Sequence, residues 1–127
     1  MGYQPRVLVA DDAPTVTLLV ERALEAAGYH VTTVSDGAAA CEAGLTGEFD
    51  LALLDHLMPN MLGAEVLQHW SDAEVGFRTI ILSGMDHDEL VIELLEMGAV
   101  DFIRKPFNIT ELVVRVRRHL PAAHVGK

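Results

Sequence analysis

The chain predicts an α/β domain with five short strands in one parallel sheet, doubly wound, and a helix after each strand. Three observations carry that prediction. Apolar runs of four or five residues recur along the chain, and between them apolar residues return at offsets of three and four, the helical period. This strand–helix alternation leads to right-handed βαβ units and a sheet covered on both faces. The 127 residues, half of them hydrophobic, suit one domain whose core needs neither disulfide nor structural metal.

Each element has its own signature. RVLVA, Arg6 to Ala10, is unbroken apolar after its first residue and reads as a buried strand. Val16, Leu19, Val20, Ala23, Leu24 and Ala27 then mark one helix face, with Pro14 in the first turn and Gly28 at the C-cap position. HVTTV, His30 to Val34, is β-branched and forms the second strand. Asp36 is the expected N-cap of a helix from Gly37 to about Leu45. DLALL, Asp50 to Leu54, is the third strand, and a helix from Ala64 to Trp70 follows it. TIIL, Thr79 to Leu82, is the fourth strand. Leu90, Val91, Leu94 and Leu95 set the fourth helix, ended by Gly98. VDFI, Val100 to Ile103, is the fifth strand. Ile109, Leu112, Val113, Val116 and Leu120 set the last helix, stopped at Pro121. Residues 1–120 are thus expected to form the domain and residues 121–127 a tail or the start of a linker. No internal repeat or low-complexity segment interrupts the pattern.

Nineteen acids against nine bases give a formal charge of -10. That charge disfavours direct binding of nucleic acid or an anionic membrane by this domain and favours capture of a cation. Part of it lies on DHDELVIELLEMG and reads as a solvated helix face. Cys41 is the single cysteine, so no internal disulfide can form, and its helical position suggests packing. With no signal peptide and no apolar run near ~18 residues, a cytoplasmic location is expected. The histidines, at 30, 56, 69, 87, 119 and 124, lack zinc-type spacing and read mostly as surface residues.

In a sheet of this kind, ligands bind outside the carboxyl ends of the strands. Asp11 and Asp12 follow the first strand, Asp55 the third, Ser83 the fourth and Lys105 the fifth. Side by side, two carboxylates repel by about 4 kcal/mol at ~4 Å and an effective dielectric of about 20, so the pair calls for a counter-charge. Asp12 as the N-cap of the first helix would explain one acid and leave the other unexplained. Three carboxylates without histidine or cysteine suit a hard divalent cation such as Mg2+. An ammonium and a hydroxyl opposite suit a phosphoryl group, and one aspartate would be the nucleophile that accepts it as an acyl phosphate.

From about Arg6 to Leu120 the sequence resembles the receiver domain of two-component response regulators, of the chemotaxis-regulator type. The resemblance rests on the Asp11–Asp12 pair, on D-x-x-M-P-x-x-x-G from Asp55 to Gly63, on Ser83-Gly84, and on KPF from Lys105 to Phe107. It implies a single flavodoxin-like (βα)5 domain. It further implies that Asp55 is the phosphoacceptor. Asp12 would be a direct ligand of Mg2+ (or Mn2+), Asp11 a ligand mainly through water, and Asp55 with the backbone carbonyl of Leu57 would complete the set. Lys105 would pair with the phosphoryl oxygens, ahead of a cis bond to Pro106. Ser83 would donate its hydroxyl to the phosphoryl group, and Phe102 would be the switch aromatic. The implied donor is a histidine kinase or a histidine phosphotransfer protein. The implied chemistry is only the domain's own phosphotransfer and autodephosphorylation, with a conformational switch that controls an output.

Departures from the family pattern carry expectations of their own. Val100 stands where the family often has a second acid, and Phe102 lacks a phenol hydroxyl, so a switch here would work by packing. Arg104 adds a cation next to Lys105. Leu57 and Met85 occupy the positions that flank the path of the hydrolytic water; both are apolar, which implies a long-lived phosphorylated state. Arg115, Arg117 and Arg118 resemble the basic last helix of transcription-factor receivers, which dimerise through helix four, strand five and helix five. Asp88, Glu89, Glu93 and Glu96 would complement them across such a homodimer. Two other classes fit less well. A haloacid-dehalogenase-type phosphatase needs Asp-x-Asp on its first strand and a cap. A flavodoxin-like cofactor binder needs a Ser/Thr/Gly-rich loop where ADDAPT stands.

Overall fold

The computed structural model describes residues 4–84 and 88–120. Its elements alternate as expected: β1 (Arg6–Ala10), α1 (Pro14–Ala26), β2 (His30–Val34), α2 (Gly37–Thr46), β3 (Leu51–Asp55), α3 (Gly63–Asp72), β4 (Arg78–Ser83), α4 (Asp88–Glu96), β5 (Asp101–Arg104) and α5 (Ile109–Arg118). The strands form one parallel sheet in the order β2-β1-β3-β4-β5. This is the doubly wound (βα)5 architecture that the alternation predicts.

Strand periodicity divides the core in two. Val7, Val9, Leu51, Leu53, Ile80 and Leu82 point to one face, where Val20 and Leu24 of α1 and Leu112 and Val116 of α5 cover them. Leu8, Ala52, Leu54 and Ile81 point to the other, beneath Ala40 of α2, Val66 and Trp70 of α3, and Leu94 of α4. The inner strands β1, β3 and β4 are buried almost throughout, whereas β2 is an edge strand and only half-buried. Asp36 caps α2 through Oδ1, which accepts from the Ala39 N–H at 2.7 Å. The capping residue before α5 is Asn108, on the same pattern. Gly28 and Gly98 follow α1 and α4 with φ of 100° and 116°, a conformation that glycine adopts without a Cβ penalty.

Several expectations are corrected by packing. β3 and β5 start one residue later than their composition suggests. The Asp50 side chain is drawn off to accept the Arg6 N–H at 2.8 Å, and the β4–β5 register begins at Ile80 with Asp101. Leu19 and Leu95 fit the apolar period of their helices but are exposed. The buried stripe of α1 runs through Val16, Val20, Leu24 and Ala27, and that of α4 through Leu90, Leu94 and on to Met97. α5 ends at Arg118, with His119 as its C-cap; Pro121 and the expected tail at 121–127 lie outside the described residues. No helix among those residues is long and apolar enough to cross a membrane.

Candidate phosphoacceptor and metal site

β1 leads on to β2 at one edge of the sheet, whereas β3 leads on through β4 to β5 at the other. The connections therefore diverge between β1 and β3, and their carboxyl ends bound a crevice. Asp55 is the last residue of β3, Asp11 and Asp12 follow β1, Ser83 ends β4 and Lys105 follows β5. One carboxylate oxygen from each of Asp11, Asp12 and Asp55 lies within 4.8 Å of the other two. Asp11 and Asp55 are buried, 1% and 5% exposed, and Asp12 faces solvent. A cleft of about 310 Å3 adjoins Asp11 and Asp12 on the β2 side, bordered by Thr17, Glu21, Thr33 and Ser35.

Lys105 ties the crevice together. Its Nζ donates to Asp11 Oδ2 at 2.7 Å and lies 3.4 Å from Asp55 Oδ2. The lysine is held at the backbone by its N–H donating to the Ser83 carbonyl at 2.9 Å, and the bond to Pro106 is cis, as the resemblance implies. Asp11 Oδ1 accepts the Ala13 N–H at 2.9 Å. Ala13 is also the N-cap of α1, without a side-chain cap, so Asp12 is not the helix cap and that simpler reading of it falls.

The charges do not balance. Three ionised carboxylates against one ammonium leave two negative charges, since -3 + 1 = -2. Burial and then the Asp11 carboxylate push Asp55 up to about 6; Lys105 works against them. Burial pulls the Lys105 ammonium down, but its contacts with Asp11 and Asp55 outweigh that and hold it above its ordinary value. A partly buried, oxygen-only, net-negative cluster fits a divalent cation of the Mg2+ or Mn2+ kind, which would relieve the repulsion and keep part of its water shell.

After Asp55, the chain crosses to α3 through a pinned loop. Gly63 N–H donates back to the His56 carbonyl at 2.7 Å, Glu65 Oε1 accepts the Leu62 N–H at 2.9 Å, and the Pro59 carbonyl accepts the Gly37 N–H at 3.0 Å. Leu57 carries its side chain outward, 52% exposed. Ser83 is buried. Phe102 is half-buried against the α2–α4 side of the core. Met85, the other expected tuning position, lies outside the described residues.

His56 departs from the surface reading of the histidines. It is 6% exposed, and its Nδ1 is the one buried side-chain polar atom without a partner among the described residues. Burial lowers its pKa, with Glu93 pulling the other way. The signal was available: strand alternation puts residue 56 on the face of Ala52 and Leu54. Cys41 is buried and free, its thiol pushed up by burial, consistent with packing. Arg115, read as a cation for a partner subunit, is engaged within its own chain. It lies 2.9 Å from Asp101 Oδ1 and 3.0 Å from Glu111 Oε2.

The response regulator receiver domain model matches residues 7–117. The alkaline phosphatase synthesis transcriptional regulatory protein PhoP of Bacillus subtilis is 32% identical over 121 residues, 95% of this chain and 50% of that protein. The receiver domain of the Francisella response regulator 1452 superposes with a TM-score of 0.86 at 34% identity, over 91% of this chain and 95% of that one. The receiver domain of sensor histidine kinase PA1611 from Pseudomonas aeruginosa, solved with a magnesium ion coordinated in its active-site cleft, gives 0.83 at 26% identity, over 92% and 98%. The chain spans about half the length of the curated relatives it matches. Those relatives are named as transcriptional regulators, so the expectation that nucleic acid is not a partner finds no support in them; the acidic charge speaks for these 127 residues alone.

Proposed function

The chain belongs to the response regulator receiver domain family of two-component systems, and on that premise we propose that Asp55 accepts a phosphoryl group from a phosphohistidine of a histidine kinase or phosphotransfer protein. The observation that supports it most is the placing of Asp55: buried at the end of β3, beside Asp11 and Asp12, with Lys105 Nζ 3.4 Å away. An Asp55 oxygen attacks phosphorus as the phosphorus–nitrogen bond breaks, the electron pair leaves with the imidazole, and an acyl phosphate forms. With its pKa raised to about 6, the carboxylate is ionised at neutral pH and more basic than an ordinary aspartate. Lys105 follows the transferred oxygens and neutralises part of their charge. Ser83 supplies a hydroxyl at the end of β4. Asp12, Asp55 and the Leu57 carbonyl would hold Mg2+ or Mn2+, with Asp11 acting through water, and the ion would supply the remaining positive charge. The domain catalyses only its own phosphotransfer and autodephosphorylation. The new charge biases a two-state equilibrium that Phe102 relays to α4, β5 and α5, the face proposed for control of an output and for homodimerisation.

The test is mass spectrometry after acetyl phosphate treatment with Mg2+. One added phosphoryl group is expected on the wild type and none on Asp55→Ala; an unmodified wild type sinks the proposal. The exposed, apolar Leu57 cannot orient a hydrolytic water. Leu57→Asn is therefore expected to speed autodephosphorylation several-fold, read from the decay of the same phosphorylated species, and an unchanged rate counts against that role.

A further inference from the structure

We infer that Gly37, outside the crevice, is a positioning residue for the cation site, because it is the seat against which the loop after Asp55 is held. The inference rests on the cation site of the function proposed above.

Gly37 is the first residue of α2 and is buried. Its φ is not in the left-handed region, so the position does not need glycine for conformation. It needs glycine for space. A Cβ there would lie 2.6 Å from the Met61 carbonyl carbon and 2.7 Å from the Met61 Cβ, and closer still to the Met61 carbonyl oxygen. The atoms in the way are mainly backbone, so no side-chain rotation relieves the clash and the loop itself has to move. The same glycine donates its N–H to the Pro59 carbonyl at 3.0 Å. Space and hydrogen bond together press the loop onto the start of α2, which is itself fixed by the Asp36 cap.

The far end of the loop is pinned in the same manner. Gly63 donates to the His56 carbonyl, and a Cβ on Gly63 would lie 2.7 Å from the Asp55 carbonyl oxygen. Residues 57–62 are thus stretched between two glycine seats, with Asn60 turned at a φ of 74° between them. The segment leads directly from Asp55, whose carboxylate belongs to the three-acid cluster. Displacing it at Met61 and Pro59 would loosen the cluster without changing any charge; partners that hydrogen-bond the ligands themselves are worth roughly 10–100-fold in metal affinity, and a support one step further out is expected at the low end of that range.

Mg2+ titration by calorimetry compares wild type, Gly37→Ala and Gly44→Ala. Gly44 lies on the same helix, and a Cβ there would strike the Trp70 indole instead of the loop. Gly37→Ala is expected to weaken Mg2+ binding about ten-fold. Gly44→Ala is expected to lower the thermal midpoint while leaving Mg2+ affinity within about two-fold, since no site support is lost. Should Gly37→Ala fail to fold, amide hydrogen exchange on the wild type decides the matter. Saturating Mg2+ is expected to slow exchange of the Gly37 amide relative to that of Ala40, whose N–H bonds to Asp36 within α2. Unchanged affinity in Gly37→Ala, or a Gly37 amide indifferent to Mg2+, overturns the inference and leaves Asp55 phosphorylation standing. A wild type that binds no Mg2+ overturns this inference and the proposed metal ligation together.

Discussion

Asp55 and His56 are neighbours whose buried charges answer pH in opposite directions. Asp55 has a folded pKa of about 6 against an ordinary 3.8. The native state therefore binds the extra proton between those values, and stability falls as pH rises through that window. Above about pH 6 the full penalty applies, on the order of 3 kcal/mol from a two-unit shift. Asp55→Asn removes it: the metal-free variant is expected to melt higher than wild type at neutral pH, with the gain vanishing toward pH 4. His56 runs the other way. Burial lowers its pKa below 6.5, so the unfolded chain takes up the proton first, and stability drops as pH falls below about 6.5. Its Nδ1 is also buried without a partner among the described residues, which costs about 1–3 kcal/mol. His56→Leu is expected to raise the thermal midpoint at neutral pH, and by more in mild acid. A variant that melts lower would mean that the imidazole makes a contact worth more than its desolvation.

Among the elements, α5 adds ion pairs to its apolar docking. Leu112 and Val116 bury into the α1-side core, while Arg115 bridges Asp101 on β5 and Glu111 one turn back. His119 Nε2 lies 3.2 Å from the other Asp101 oxygen. Burial alone would raise the Asp101 pKa, but the Phe102 N–H, His119 and Arg115 outweigh it and hold the carboxyl below its ordinary value. The pairs are partly exposed, so Arg115→Ala is expected to cost only about 1 kcal/mol. The loss should shrink in high salt, as chemical denaturation with urea at two ionic strengths would reveal; a loss independent of salt would assign the effect to packing of the arginine stem. Element scale is also where the sequence was partly silent. Apolar period located α1, α4 and α5, yet it could not separate the buried Leu94 from the exposed Leu95, adjacent residues of equal hydropathy. That choice depends on where the sheet lies, which is not local information. Asp50 looked like the start of a strand because its neighbours are apolar, but a backbone donor on β1 claims its side chain.

At the scale of the molecule, strand alternation and the polar residue at each strand end were enough to bring Asp11, Asp12, Asp55, Ser83 and Lys105 to one crevice, because a parallel sheet presents all its carboxyl ends on one side. What the sequence did not carry was how those groups divide their contacts. Lys105 sits closer to Asp11 than to Asp55, and the loop after Asp55 is seated by Gly37 of α2. Both follow from packing between segments far apart in the chain. The same remoteness would make the proposed metal binding a folding event. The acids come from positions 11, 12 and 55, so the unfolded chain does not assemble the site. A cation bound only by the native state adds about 2.7 kcal/mol at a hundredfold excess over its Kd, several degrees in the melting temperature of a domain of this size. Under the proposed ligation, binding would require an ionised Asp55, whose pKa is about 6, so protons would compete with the metal in mild acid. Thermal melts with Mg2+ or with a chelator, at matched ionic strength, are expected to differ most above neutrality and to converge below about pH 5. Asp55→Asn, which lacks the ionisable ligand, should lose most of the difference at every pH. Coincident melts of the wild type at neutral pH would mean that the two net negative charges are tolerated without a cation, and would remove the metal from the proposed chemistry.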